Sequence, residues 1–339
     1  MVPSLNLYPG PSEARLVGIA RLASQGEPLR DGHNVEYITL PARSLLNRCT
    51  AKYMPFTWTL NPYRGCEFAC KYCYARFTHE FMELRDALDF ERKIYVKQQT
   101  AWLLRRDLKR VKRGESIAIG TATDPYQPAE KKFEVTRGIL EELSRHSGLS
   151  IGLVTKSQMI TRDLGLLQRI AATNDLTINV TVTTMDADLA RILEPRAPRP
   201  DLRLAAVTAL ARAGIHAGVI CAPVLPGITD TPRNLDTVVK KAAAAEARFI
   251  YTNPLFLKPC SEKIFLPFLH EHFPHLEAQY KKRFKENGYV SAAYRSRLGK
   301  LMNTLCHKHG MPDREERRQA RERNSARAES LKVEQLALF

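Results

Sequence analysis

The sequence predicts an α/β fold built on a parallel sheet. Between 56 and 259, short apolar, β-branched runs alternate six times with segments of helical periodicity, the pattern of βα units. The strand runs end in Thr, Asp, Asn and Pro, the residues that open loops. A length of 339 residues suits one large domain with appendages, or two modest ones. Periodicity alone does not choose between a doubly wound sheet and one curled into an open barrel.

Residues 1–55 read as a loose N-terminal extension with one strand over Val35-Glu36-Tyr37-Ile38-Thr39-Leu40 and a short basic helix over 44–53. The first strand of the core spans about 56–61, and a long basic helix is expected over 86–113, with Ile94, Trp102, Leu103 and Leu108 as its apolar positions. Ser116-Ile117-Ala118-Ile119-Gly120 is the second strand. A helix over 134–146 follows, with Gly148 as its cap. The third strand spans 149–155, with a helix over 161–173. The fourth spans 176–183 and precedes two helical pieces, 186–193 and 199–213. The fifth spans 215–224 and breaks at Pro226-Gly227, an alanine-rich helix covers 231–247, and the sixth strand spans 248–252. No internal repeat is visible.

Residues 56–259 thus form the core, and 260–311 a basic helical extension. There Tyr280-Lys281-Lys282-Arg283-Phe284-Lys285, followed by Arg295, Arg297 and Lys300, interleaves aromatics with cations. Such a stretch binds nucleic acid by stacking and phosphate contacts, or it is an amphipathic helix whose Phe284 and Tyr289 pack on the core. Residues 312–339 form a tail mixing Arg and Glu, expected to be flexible.

A formal charge of +16 favours polyanionic partners, nucleic acid above all, although a solvated cationic surface has the same composition. The longest apolar runs fall short of the roughly 20 residues that span a bilayer, so no membrane is expected. The start, Met1-Val2-Pro3-Ser4-Leu5-Asn6, lacks a basic n-region with an apolar h-region, so secretion is not expected. Seven cysteines, mostly scattered, do not read as a disulfide framework, which favours a cytoplasmic location.

Three of those cysteines, Cys66, Cys70 and Cys73, stand in a C-x3-C-x2-C spacing. Three thiolates on one short loop can hold three irons of a [4Fe–4S] cluster and leave the fourth open. A zinc or redox loop is the alternative; zinc would want a fourth ligand, and His79 is the nearest candidate.

The spacing, with Tyr72 just before the last cysteine, resembles the radical S-adenosylmethionine superfamily. The resemblance implies a partial (βα)6 TIM-type barrel of the radical SAM type, here with a helical C-terminal extension. It implies a [4Fe–4S] cluster and S-adenosylmethionine as cofactors, with an external electron donor. Electron transfer then cleaves S-adenosylmethionine to a 5′-deoxyadenosyl radical.

In barrels of this kind sites gather at the carboxyl ends of the strands. There the second strand runs into Gly120-Thr121-Ala122-Thr123-Asp124-Pro125-Tyr126-Gln127-Pro128. The third ends in Thr155-Lys156-Ser157, and an ammonium emerging from an apolar strand calls for a carboxylate partner. By resemblance, Tyr72 packs by the cofactor, Thr123 contacts its amino end, Lys156 its carboxylate, and Thr181 or Thr183 its ribose or carboxylate. β-Propensity alone also accounts for the threonines.

Asn61-Pro62-Tyr63-Arg64-Gly65-Cys66 together with Thr123-Asp124-Pro125-Tyr126-Gln127-Pro128 is similar to the spore photoproduct lyase-like, or "DNA repair photolyase", branch of the superfamily. That branch carries a hydrogen-donor cysteine at the end of the second strand. Thr121 stands there in this chain, which puts thymine-dimer reversal by the same relay in question and leaves Tyr126 or Cys221 as replacements.

The last residues, Gln335-Leu336-Ala337-Leu338-Phe339, are similar to the peptide by which bacterial repair and replication proteins dock on the polymerase sliding clamp. Gln335 would meet a polar rim while Leu336, Leu338 and Phe339 fill an apolar groove. A radical S-adenosylmethionine enzyme of DNA repair, lyase-like and recruited to the clamp, is the expected function. A radical enzyme acting on RNA or protein, or a non-catalytic, metal-binding clamp module, are the alternatives.

Overall fold

The computed structural model describes residues 16–32, 35–51, 54–284, 288–313 and 316. Six strands run parallel in the order of the sequence: β1 (Trp58–Leu60), β2 (Ser116–Ile119), β3 (Ser150–Thr155), β4 (Asp175–Thr181), β5 (His216–Val224) and β6 (Ile250–Pro254). A doubly wound sheet reverses its strand order in the middle; this one never does. With right-handed crossovers, an unreversed order carries the connecting helices to one face, as in a barrel. The other neighbour of β1 is not β6 but the antiparallel strand Leu46–Arg48, so the barrel is open.

The connecting helices are α1 (Thr100–Leu108), α2 (Val135–Leu143), α3 (Leu164–Thr173), α4 (Pro200–Arg212) and α5 (Pro232–Ala244). A shorter helix, Ala187–Leu193, lies between β4 and α4. Strand β3 alternates: Ile151, Leu153 and Thr155 are buried while Ser150, Gly152 and Val154 are half-buried. Ile151 and Leu153 join Ile139, Leu167, Ile178, Val207 and Val219 in the main core. Each such side chain contributes about 1.5–3 kcal/mol on burial.

A second sheet stands where a helix over 86–113 was expected. Lys93–Lys97 is a strand, parallel to Val35–Leu40 and antiparallel to Tyr63–Arg64. The run Ile94-Tyr95-Val96 is buried and of strong β-propensity, and it wins over the flanking helix formers. Helix in this stretch is confined to Asp89–Arg92 and α1. Likewise Leu46–Arg48 is a strand rather than part of a lead-in helix, because the open edge of β1 offers it a ladder. The N-terminal extension therefore contributes strands to both sheets.

Beyond β6 the chain is helical as expected: α6 (Pro259–His272), α7 (Glu277–Phe284) and α8 (Ala292–Lys308). Phe265, Phe268, Tyr280 and Phe284 pack in one apolar cluster with Cys66, Phe68, Cys70 and Tyr72. Phe284 thus packs inward, whereas Tyr289 is 48% exposed. No helix among the described residues is long and apolar enough to cross a membrane. Gln335, Leu336, Leu338 and Phe339 lie outside the described residues.

Candidate cluster and cofactor site

The cysteine loop leaves β1 at Asn61 and is tied down at nearly every step. The Asn61 amide bridges to the loop after β2: its Oδ1 accepts from Ala122 N (2.8 Å) and its Nδ2 donates to Thr121 Oγ1 (3.2 Å). Tyr63 is fully buried and its hydroxyl donates to Glu130 (2.5 Å). Gly65 has φ +84°, and a Cβ there would lie 2.7 Å from Lys93 O and 2.8 Å from Phe90 O. Only glycine fits that crossing. Cys66 N then donates to Phe90 O (2.9 Å).

Inside the loop, Glu67 accepts from Ala129 N (2.7 Å) and Tyr37 Oη (3.0 Å), while its own N–H donates to Gln127 Oε1 (2.9 Å). Lys71 N donates to Leu193 O (2.9 Å), which staples the loop to the segment after β4. Arg76, ion-paired to Glu91 (2.6 Å), donates to Cys70 O (3.1 Å), and Ser261 Oγ at the start of α6 donates to Cys73 O (3.0 Å). These contacts hold the loop without calling on the three thiols.

Cys66, Cys70 and Cys73 are free thiols on this loop. Burial raises the pKa of all three, Cys70 to about 12, and the charges of Asp124, Cys70 and Cys73 add to the rise at Cys66. Among the described residues no three His, Cys, Asp or Glu side chains gather around one ion position. Thiolates of a cluster bind different irons, so their sulfurs need not converge on one point. His79, the candidate fourth zinc ligand, sits edge-on to Phe90 and Tyr95 with Nε2 at Lys93 O (3.0 Å). The donor set fits a three-thiolate cluster better than a zinc ion.

The other expected residues meet the loop from the strand ends. Thr123 Oγ1 donates to Gly65 O (2.6 Å) and accepts from Gln127 Nε2 (2.9 Å). One acceptor lone pair of that hydroxyl remains. Asp124 accepts from Thr155 Oγ1 (2.7 Å), Tyr126 N (2.9 Å) and Lys156 N (2.7 Å), fixing the start of the Lys156 side chain. Lys156 Nζ lies 5.8 Å from the centre of the Tyr72 ring. Burial works against its charge, but Cys70, Glu194 and Asp124 outweigh burial and raise its pKa.

The Tyr72 hydroxyl donates to Glu194 Oε1, and Arg203 Nη2 stands 2.5 Å from Glu194 Oε2. Thr183 Oγ1 reaches the same carboxylate at 3.5 Å. Burial disfavours the Glu194 charge, yet Arg203 and Lys156 hold its pKa below the usual range. Glu67, Gln127, Glu194 and Ser261 escape sequence reasoning because each acts on a residue far away in the chain, and Arg203 because it acts through Glu194. Glu67, between two motif cysteines, carries the one visible signal: a carboxylate in a loop that packs inward.

Tyr74 donates its hydroxyl to Thr121 O. Of the proposed replacements for a cysteine at Thr121, Tyr126 is buried with its hydroxyl on Asp163 (3.1 Å), and Cys221 Sγ lies 4.0 Å from Thr183 O.

Comparison with known proteins bears on the family and the fold. Residues 60–236 match the family model of the Radical SAM superfamily. An uncharacterized protein of Mycobacterium tuberculosis is 34% identical over 295 residues, covering 86% of this chain and 85% of its own length. An uncharacterized protein of Methanocaldococcus jannaschii is 29% identical over 196 residues, covering 58% and 70%. Among solved structures, spore photoproduct lyase complexed with dinucleoside spore photoproduct superposes with a TM-score of 0.63 at 15% identity, covering 80% of this chain and 79% of that one. A mutant of that lyase with bound AdoMet and dinucleoside spore photoproduct gives 0.62 at 16% over the same shares. At such identity the likeness is one of fold. The chain belongs to the radical SAM superfamily, whose members use a [4Fe–4S] cluster and S-adenosylmethionine.

Proposed function

We infer that this radical SAM enzyme acts in DNA repair, with Cys66, Cys70 and Cys73 as the cluster ligands. The observation that carries the assignment of the site is the tied-down loop of three free thiols, with the Lys156 ammonium and the spare Thr123 lone pair arriving from neighbouring strand ends. When bound, the cluster and S-adenosylmethionine supply a 5′-deoxyadenosyl radical after one-electron reduction by an external donor. Lys156 binds the cofactor carboxylate, Thr123 accepts from its amino group, and Tyr72 and Thr183 wall the site. Glu194 and Arg203 orient Tyr72. Residues 56–259 act as the catalytic core and 260–311 as a nucleic-acid-facing extension.

The charge of +16 supports DNA as the target, as does a fold shared with a lyase seen with a dinucleoside photoproduct. The test is incubation of anaerobically reconstituted protein with ultraviolet-irradiated DNA and S-adenosylmethionine deuterated at the 5′ carbon. Loss of a lesion, with deuterium in the repaired DNA or protium from the DNA in the recovered cofactor, is expected. Label transfer to RNA or protein with the DNA unchanged would overturn the DNA reading.

Two further results are expected. Lys156→Met raises KM for S-adenosylmethionine by roughly 10- to 100-fold, the worth of a charge-assisted hydrogen bond. An unchanged KM would remove Lys156 from the cofactor site. Deleting 335–339 abolishes retention on immobilised sliding clamp and leaves 5′-deoxyadenosine formation intact; undiminished retention would dismiss Gln335, Leu336, Leu338 and Phe339 as the docking peptide.

A further inference from the structure

A hollow of about 1020 Å³ opens in the C-terminal extension, among residues of α7, α8 and the stretch between them. Lys282, Arg283, Arg295 and Arg297 line it, together with Tyr289 and Tyr294, and among the described residues no carboxylate belongs to its wall. Lys282, Arg295 and Arg297 are exposed. Arg283 lies 5.0 Å from the centre of the Tyr294 ring, and that ring is held by its hydroxyl on Asp230 Oδ2 (2.8 Å). Four cations in one concavity repel each other, and a row of phosphates is the ligand that relieves them.

The hollow does not stand alone. Tyr289 stacks on Phe256 with centroids 5.6 Å apart and planes 18° apart. Phe256 in turn leans on Tyr74 at 5.2 Å, and Tyr74 directly follows Cys73. An aromatic row therefore runs from the cationic hollow to the cysteine loop. Exposed rings beside a cationic track are how proteins hold unpaired nucleotides.

We propose that this groove is the track of the DNA strand: Lys282, Arg283, Arg295 and Arg297 hold its phosphates, and Tyr289 carries an unpaired base at the head of the aromatic row. The assignment rests on DNA being the target. It specifies a strand with unpaired bases, delivered along the row towards the cluster loop.

The experiment is fluorescence anisotropy of the full chain with a labelled 12-nucleotide single-stranded DNA, the matching duplex and RNA of the same sequence, across a salt series. Three variants are compared with the native chain: R295E/R297E in the groove, Tyr289→Ala, and K112E/R113E, an equal charge change on exposed residues elsewhere. The groove pair is expected to weaken single-stranded DNA binding at least ~10-fold and to flatten the salt slope by about 1.4, the value for two lost phosphate contacts on a single strand. Tyr289→Ala is expected to lose roughly 5- to 100-fold, and the control pair no more than about 2-fold through the general field. Equal losses in the groove and control pairs would overturn the groove while leaving DNA as the target. Preference for RNA, or for the intact duplex over the single strand, would overturn the occupant. If the native chain binds neither DNA nor RNA, the DNA-repair reading fails first and the groove with it.

Discussion

Cys70→Ala is expected to abolish both stable iron incorporation and all 5′-deoxyadenosine formation. In a three-thiolate site each sulfur holds its own iron, so losing one ligand opens a second corner of the cube and the cluster is lost on desalting. Iron should fall from about four per chain to below one. The same holds for Cys66→Ala and Cys73→Ala. The substitutions should spare the fold, because the loop is held by the Gly65 crossing, the Glu67–Gln127 ties and the Arg76 and Ser261 contacts rather than by the thiols. Cys49→Ala and Cys221→Ala, outside the site, should keep full iron. Iron analysis after anaerobic reconstitution checks both sets, and full iron in Cys70→Ala would dismiss that thiol as a ligand.

Arg203→Ala is expected to be the most destabilising single change at the site. It strands the Glu194 carboxylate, which is buried and already holds the Tyr72 hydroxyl. Removing one partner of a buried ion pair costs about 3–5 kcal/mol. For a chain of this size that lowers Tm by roughly 4–8 °C. Glu194→Gln keeps an acceptor for Tyr72. The double variant R203M/E194L, with no buried charge left, should recover much of the loss. Because Tyr72 adjoins Cys73, and Leu193 holds Lys71, Arg203→Ala should also lower iron retention. Thermal unfolding of the native chain, the two single variants R203M and E194L and the double variant forms a double-mutant cycle, and additive losses would show that the pair is not coupled.

The parallel core was legible because β-branched strand runs and helical segments alternate cleanly between 56 and 259. The barrel was not, since strand order is a pairing property; the unreversed ladder from β1 to β6 decides it. Local composition misled at Lys93–Lys97, where basic helix formers flank a run that belongs to a sheet. In the site, the cysteines and Lys156 announce themselves by spacing and by a charge at a strand end. Gln127 looked like an ordinary loop residue and Glu67 stood out only as a carboxylate between motif cysteines, yet they tie the loop after β2 to the cysteine loop. Glu194 carries no local signal, since it meets Tyr72 across more than a hundred residues of chain, and Arg203 acts on Tyr72 only through Glu194. The basic extension held both readings at once: Phe284 packs inward and Tyr289 stays half exposed.

The central claim is that the loop from Cys66 to Cys73 carries a cluster competent for radical initiation. The most direct measurement is 5′-deoxyadenosine, quantified by mass spectrometry after anaerobic incubation of the reconstituted full chain with dithionite and S-adenosylmethionine. Multiple equivalents per chain are expected from the native sequence and none from Cys66→Ala, Cys70→Ala or Cys73→Ala. A native chain that holds about four irons and releases no 5′-deoxyadenosine would contradict it.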